Sequence, residues 1–105
     1  MPDILSLSAT TMPDGSHLIT VGGEIDLSNA TQLAEYIVQF EQGDVELDLT
    51  DVTFVDSSGL RALLAAHERI KRGGARLVVR KASDRVLRVL GMAGLDAVLD
   101  VDLEG

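Results

Sequence analysis

"TFVDSSGLRALL", residues 53–64, is the stretch that decides how this chain folds. An apolar run ends at Val55, an acid, two serines and a glycine follow, and a leucine-rich pattern with helical spacing begins at once. Asp and Ser are favoured where helices begin, because their side-chain oxygens accept hydrogen bonds from free backbone N–H groups. The stretch therefore predicts a strand that passes directly into a helix. In parallel sheets, functional groups collect at this carboxyl end of the strands.

The N-terminal part of the chain predicts a β-hairpin. Residues 4–12 read as a first strand, and HLITVGG, residues 17–23, reads as a second. Between them, PDGS at 13–16 is typical of a tight turn, since proline fixes φ and Asp-Gly tolerates the bend. We therefore expect residues 4–22 to form a hairpin.

A helix and a strand should connect the hairpin to the junction at residue 56. Ser28 is a candidate N-cap, and Gly43 supplies a stop. Between them, apolar residues recur at helical spacing: Ala30, Leu33, Ala34, Ile37 and Phe40. In VELDLT, residues 45–50, apolar and polar side chains alternate strictly. This period of two predicts a strand with one face in solvent.

The chain after the junction predicts two more helices and one or two strands. The helix that starts there should bury Leu60, Leu63, Leu64 and Ile70, and Gly73-Gly74 should end it. ARLVVR, residues 75–80, reads as a strand, and Ser83 as the N-cap of a third helix. That helix should turn three side chains inward: Val86, Leu87 and Leu90. AVLDVD, residues 97–102, is a candidate for a short final strand.

The predicted order is β-β-α-β-α-β-α, with a further strand possible at the end. A chain of 105 residues fits one domain, here 1–105. Strand–helix–strand crossovers are right-handed almost without exception, so strands added successively on one side place all helices on one face of the sheet. We therefore expect an α/β fold with a four- to five-stranded mixed sheet and helices mainly on one face.

Composition excludes several classes of function. The net charge of −8 repels phosphate backbones and anionic membranes, so neither nucleic acid nor direct membrane insertion is expected. The chain has no cysteine, which excludes disulfides and thiolate metal sites. It shows no signal peptide and no apolar run near the roughly 20 residues of a membrane span.

The Asp-Ser-Ser-Gly turn admits four interpretations. In the first, Asp56 or Ser57 caps the helix and has no other role. In the second, one serine is a catalytic nucleophile, which needs a base within reach. However, His67 is ten residues further along the same helix, about 15 Å away, and His17 is expected at the other end of the sheet. In the third, the helix N-terminus binds a phosphate group, but the sequence has no glycine-rich loop there, and Asp56 would repel the ligand. In the fourth interpretation, a serine accepts a phosphate that adds about −1.5 to −2 charges.

A second acidic turn should lie beside the first. GEID, residues 23–26, closes the strand that precedes the first helix. Because the ends of adjacent parallel strands meet at one edge of the sheet, Asp26 is expected near the serines. Asp26 also has an ordinary role available, as a cap of the helix after it, and the two roles are compatible.

The motifs together resemble the STAS domains of anti-sigma factor antagonists. GEID before a helix, LDLTDVTFVDSSGL, GGARLVV and VLRVLGMAGL carry the resemblance, which runs from about residue 15 to 101. The match at FVDSSGL after LDL is the specific part. The resemblance implies a cytoplasmic regulatory protein that is not an enzyme and needs no cofactor or metal.

The resemblance also implies partners and residue roles. It implies binding to an anti-sigma factor serine kinase, release of a sigma factor, phosphorylation of Ser57, and recovery by a serine phosphatase. Ser58 is the alternative acceptor. The expected partner-binding residues are Asp26, Leu27, Ser28, Asp56, Ser57, Ser58, Gly59, Leu60 and Arg61. The main alternative is an accessory subunit of a membrane transporter complex, in which the serines have no regulatory role.

Overall fold

A computed structural model describes residues 4–40 and 42–104. The elements follow the predicted order, with a short 3-10 turn before the last strand. The strands are β1 (Ser6–Thr11), β2 (His17–Ile25), β3 (Val45–Val55), β4 (Leu77–Ala82) and β5 (Asp100–Val101). The helices are α1 (Ala30–Val38), α2 (Ser57–Arg72) and α3 (Asp84–Met92), and the 3-10 turn is Leu95–Ala97.

The five strands form one mixed sheet in the order β1-β2-β3-β4-β5. β1 and β2 pair antiparallel, and each later pair is parallel. Each new strand is added beside the previous one, so right-handed crossovers bring the helices to the same side. The predicted fold class is confirmed. In the β2–β3 ladder, Ile25 pairs with Val55, which brings the ends of these two strands together.

The core lies between the sheet and the helices. The predicted alternation in β3 is confirmed: Val45, Leu47 and Leu49 are fully buried, whereas Glu46 and Asp48 lie on the other face. That outer face is polar, with Arg80 donating to Glu46 Oε1 at 2.6 Å and to Asp102 Oδ2 at 2.8 Å. Helices contribute mainly Leu33, Ile37, Leu63, Ala66, Ile70, Val86 and Leu90. Within the described residues, no helix is long and apolar enough to cross a membrane.

The predicted hairpin turn is present and is held by Asp14. Its Oδ1 accepts hydrogen bonds from the Ser16 backbone N–H at 2.9 Å and the Ser16 hydroxyl at 2.6 Å. These bonds, the hydroxyl first, favour the ionised carboxylate and lower the pKa of Asp14 below its ordinary value of 3.8. The glycine of the turn, Gly15, has φ +89°, a conformation that residues with a Cβ rarely adopt.

Several predicted boundaries are wrong. β2 extends past residue 23 to Ile25, because it pairs with β3 along this whole length. β3 runs on to Val55, as the predicted direct passage from strand to helix requires. β5 has only two residues, since 95–97 form the 3-10 turn instead. α1 ends at Val38, so Phe40 packs on the core from the turn beyond it.

The predicted inward side chains are partly correct. Leu63, Ile70, Val86 and Leu90 are buried. Leu60, Leu64 and Leu87 are only half-buried, because they lie at the edges of their helices' apolar faces. The prediction for the third helix cap is confirmed: Ser83 Oγ accepts from Val86 N at 3.2 Å.

Candidate functional site

The junction between β3 and α2 is capped by Asp56. Its backbone is extended, and its Oδ1 accepts a hydrogen bond from the Gly59 backbone N–H at 3.0 Å. This bond satisfies one of the N–H groups that the first turn of a helix leaves free. Of the two candidate caps, Asp56 therefore has that role, and Ser57 is the first residue of the helix. The Ser57 side chain is left available for other contacts.

The two serine hydroxyls lie in different environments. Ser57 is exposed, and its Oγ has no hydrogen-bond partner among residues 4–40 and 42–104. Ser58 is half-buried, and its Oγ lies 3.4 Å from the Arg61 guanidinium nitrogen that donates to it. Of the two, Ser57 is the more accessible to an enzyme that acts on a serine hydroxyl.

Gly59 brings the first turn of α2 against the ends of the strands. A Cβ at this position would lie 2.7 Å from a methyl carbon of Ile25 and 2.7 Å from a methyl carbon of Val55. Only a residue without a side chain permits this approach. Gly59 is itself buried, so its role in this structure is to permit close packing. Its packing determines where Asp56 and Ser57 stand relative to β2.

The two acidic turns lie side by side, at the ends of paired strands. The Asp56 backbone N–H donates to the Ile25 carbonyl at 3.1 Å, so the next residue after Ile25, Asp26, adjoins Asp56 along the sheet edge. Asp26 is half-buried, and its Oδ1 accepts from the Ser28 N–H at 2.9 Å and the Ser28 hydroxyl at 2.5 Å. The backbone thus brings the Asp26 turn beside the turn that carries Asp56 and Ser57.

The prediction that Ser28 caps the first helix is wrong. Asn29 occupies the cap position, and α1 begins at Ala30. The Asn29 side chain makes no cap hydrogen bond; its Oδ1 accepts from the Asp26 N–H at 3.0 Å and its Nδ2 donates to the Glu24 carbonyl at 2.9 Å. Ser28 is held by Asp26 instead, because an Asp side chain readily bonds the backbone two residues ahead of it. The Ser28 and Asn29 side chains therefore both stabilise the turn that contains Asp26.

Leu27 projects into solvent from this turn. Leu27 is 79% exposed, so it is not part of the core. It borders a groove of about 330 Å³ between α1 and α2. The other residues that line this groove are mostly small: Ala30, Thr31, Ala34, Glu35, Ser58, Arg61, Ala62 and Ala65. An exposed leucine beside a groove of small residues is a surface suited to a protein partner.

A second groove, of about 210 Å³, lies on the other side of the α2 N-terminus. It is lined by Ser57, Leu60, Arg61, Leu64, Ala93 and Leu95. Arg61 borders both grooves, so it lies at the centre of the surface. Ala93 and Leu95 were not predicted as site residues, because they lie more than 30 residues from the junction. Ala30 and Ala34 were predicted only as part of the apolar face of the first helix, and they border the groove as well.

The histidines lie away from the serines. His67 is buried on α2, ten residues beyond Ser57, or about 15 Å at the rise of a helix. His17 begins β2, at the opposite end of the sheet, where its ring lies 5.0 Å from that of Phe40. Among the described residues, no group of three or more His, Asp or Glu side chains is arranged to hold a metal ion. Within the described residues, neither histidine is in hydrogen-bonding reach of Ser57 or Ser58.

Comparisons with known proteins agree with the motif assignment. The family model for the STAS domain matches residues 9–104. The chain is 33% identical over 85 residues to an anti-sigma-B factor antagonist of Bacillus subtilis, covering 79% of this chain and 78% of the relative. It is 33% identical over 97 residues to the corresponding protein of Listeria monocytogenes, covering 88% and 85%. A crystal structure of an anti-sigma factor antagonist from Mycobacterium paratuberculosis has 30% identity and a TM-score of 0.73, covering 96% of this chain and 87% of that one.

Proposed function

The chain belongs to the STAS domain family, and from that premise we propose that it is an anti-sigma factor antagonist controlled by phosphorylation of Ser57. In its unphosphorylated form it binds an anti-sigma factor serine kinase in the cytoplasm, and a sigma factor is freed. The kinase transfers a phosphoryl group from ATP to Ser57 Oγ, and the modified protein dissociates. A serine phosphatase then removes the phosphate. The relatives named anti-sigma-B factor antagonists support the role.

The observation that carries this proposal is the state of the Ser57 hydroxyl. It is exposed and free of hydrogen bonds to described residues, and it stands at the rigid first turn of α2 beside two acidic turns. Ser58 is the less suitable acceptor, because it is half-buried and its Oγ faces the Arg61 guanidinium. A kinase that binds this surface finds one serine presented outward.

Phosphorylation would change the charge of the surface without refolding the protein. At about 6 Å and an effective dielectric constant of about 40, one pair of like charges costs about 1.4 kcal/mol, so a dianion beside one carboxylate costs roughly twice that. In the free protein, solvent screens this repulsion between phosphate and Asp26 or Asp56. A bound partner excludes solvent and strengthens it. A penalty of about 1.4–2.8 kcal/mol weakens binding about 10- to 100-fold.

Two further interactions would stabilise the released form. The N-terminus of α2 carries a partial positive charge, which favours an adjacent anion by about 0.3–1 kcal/mol. Arg61 is one helical turn beyond Ser57 and lines the same groove, so its guanidinium can pair with the phosphate. That pairing competes with contacts between Arg61 and a partner. Both effects lower the free energy of the phosphorylated protein on its own and so favour dissociation.

The proposed partner surface comprises the two acidic turns and the two grooves. Leu27 supplies an exposed apolar anchor, and Leu60 and Arg61 form the border between the grooves. Asp26, Ser28 and Asp56 present oxygen atoms beside it. The complementary partner surface therefore has apolar side chains to cover Leu27 and hydrogen-bond donors to face these oxygen atoms.

The decisive experiment uses Ser57→Ala as bait in native cells, with Ser58→Ala as the matched control. We expect both variants to recover a serine kinase. With ATP, that kinase should add one phosphate to the wild type and to Ser58→Ala and none to Ser57→Ala, as measured by intact mass. Phosphate on Ser57→Ala would show that the acceptor is misassigned. Recovery of transporter subunits by both baits, without a kinase, would favour the accessory-subunit alternative.

A further inference from the structure

A further cavity, of about 300 Å³, lies near the opposite end of α2. The residues that line it include His67 and Lys71 of α2, Arg76 and Leu77 near the start of β4, and Val98 and Asp100. Along the helix, it is about 15–20 Å from Ser57, so it is separate from the proposed switch. Its volume is near the lower limit of clefts that bind small molecules, about 300–1,000 Å³.

His67 is the buried polar side chain of this cavity. It is only 6% exposed, and its Nδ1 is sealed from solvent without a hydrogen-bond partner in the part of the chain that the structure describes. Since no other hydrogen bond from a described residue holds the ring, Nε2 is the nitrogen left to face the cavity. In the tautomer that carries its hydrogen on Nε2, this nitrogen is a donor that no described residue accepts from. Buried histidines without any hydrogen-bond partner are rare.

Two cationic side chains line the same cavity. Lys71 is one turn beyond His67 on the same side of α2, and it forms no ion pair with any described residue. Arg76 forms a loose, solvent-exposed ion pair with Asp100, whose Oδ2 lies 3.7 Å from the Arg76 Nε, beyond hydrogen-bond distance. The Arg76 backbone, in contrast, is fixed, since its N–H donates to Asp44 Oδ1 at 2.9 Å and its carbonyl accepts from Val45 N at 2.8 Å.

These groups form an anion-binding arrangement in a chain whose net charge is −8. One imidazole, one ammonium group and one guanidinium group belong to residues that line a cavity whose remaining wall includes Leu77 and Val98. We propose that the cavity between α2, β4 and β5 is a binding site for a small molecule that carries one carboxylate or phosphate group. The anion is held by Lys71 and Arg76 and receives a hydrogen bond from His67 Nε2. Asp100 opposes it, as a like charge that also competes for Arg76.

The test is a titration of the full chain with sodium phosphate or sodium acetate, at fixed pH and at an ionic strength held constant with sodium chloride. Amide chemical shifts are followed by NMR. At least one of the two anions should produce saturable shifts confined to residues 67–77 and 98–100. The anion that saturates at lower concentration identifies the preferred group. Shifts that do not saturate, or that occur equally at all exposed cations, would overturn the site.

The variants give effects of opposite sign. Arg76→Gln and Lys71→Gln should each weaken binding at least tenfold, and both replace exposed side chains, so the fold is retained. Asp100→Asn should tighten binding several-fold, because it removes the opposing charge and frees Arg76. Arg88→Gln, at an exposed cation of α3, is the matched control and should leave binding unchanged. Equal affinity in Arg76→Gln and wild type would refute the proposal, whatever the outcome for Ser57.

Discussion

Replacing Gly59 with alanine tests whether the packing of α2 against the strand ends determines the geometry of the site. The new Cβ would lie 2.7 Å from the Cγ2 atoms of both Ile25 and Val55, about 0.7 Å inside the 3.4 Å at which ordinary contact begins. Both neighbours are buried and β-branched, so they have few alternative rotamers. The helix must therefore move away from the sheet.

The expected loss of stability combines two opposing effects. Overpacking in a core costs about 1–3 kcal/mol. Alanine in place of glycine inside a helix returns up to about 1 kcal/mol. The net destabilisation is about 1–2 kcal/mol, which lowers the melting temperature of a domain of this length by roughly 4–8 °C. Thermal and urea unfolding followed by circular dichroism measure both quantities, and the urea midpoint should fall without a change in slope.

Gly91→Ala is the matched control for this experiment. Gly91 is also a helical glycine, in α3, but it is exposed, and a Cβ there would meet only Asp96 Oδ2 at 3.6 Å, an ordinary contact. This variant should be as stable as the wild type or more stable by up to about 1 kcal/mol. If Gly59→Ala matches or exceeds the wild type in stability, the argument that α2 is seated on the strand ends is wrong. Equal destabilisation of both variants would trace the effect to helix glycines in general.

Three other perturbations test separate parts of the structure. Leu27→Ser should leave the free energy of unfolding within about 0.5 kcal/mol of wild type, because the side chain is 79% exposed. In calorimetry, it should weaken kinase binding by about 1–2 kcal/mol. Unchanged affinity would remove Leu27 from the proposed interface. Arg61→Gln should also preserve stability, but by releasing Ser58 it should increase kinase labelling of that residue relative to wild type, as mapped by peptide mass spectrometry; unchanged labelling would show that the guanidinium does not protect Ser58. The pKa of Asp14 is lowered in the folded state, so its contribution to stability is present above its ordinary value of 3.8 and is lost as the pH falls through the lower folded value. In Ser16→Ala, the Asp14 carboxyl group, followed by its NMR chemical shift, should therefore titrate at a higher pH than in wild type. Identical titration curves would contradict the role of Ser16.

The local pattern of residues was sufficient to predict the order of elements and the position of the junction between β3 and α2. Alternation in β3 and helical spacing in α2 and α3 depend only on which side chains are apolar, and these can be read directly from the amino-acid sequence. The caps Asp56 and Ser83 and the turn at Asp14 were predictable for the same reason: their hydrogen bonds join residues two or three positions apart. Such interactions need no knowledge of the rest of the fold.

Boundaries and exposure depended on contacts between distant parts of the chain. β2 runs longer than predicted because β3 supplies its hydrogen bonds as far as Ile25, which the sequence of β2 alone does not reveal. Ser28 has the composition of a cap, yet Asp26 holds its side chain, and Asn29 takes the cap position. A residue's local preference decides its role only where no stronger partner is in reach.

The sequence by itself determined that an acid, two serines and a glycine stand where a strand becomes a helix. Only the tertiary structure decided that Ser57 is exposed and Ser58 is half-buried, and that Gly59 is buried against Ile25 and Val55. It also decided that the Asp26 turn lies beside the turn at Asp56. The cavity beside His67 likewise exists only because α2, β4 and β5 meet there. The physical reason is range: hydrogen bonds of turns and caps form between near neighbours, whereas burial, register and cavities depend on how separate elements pack together.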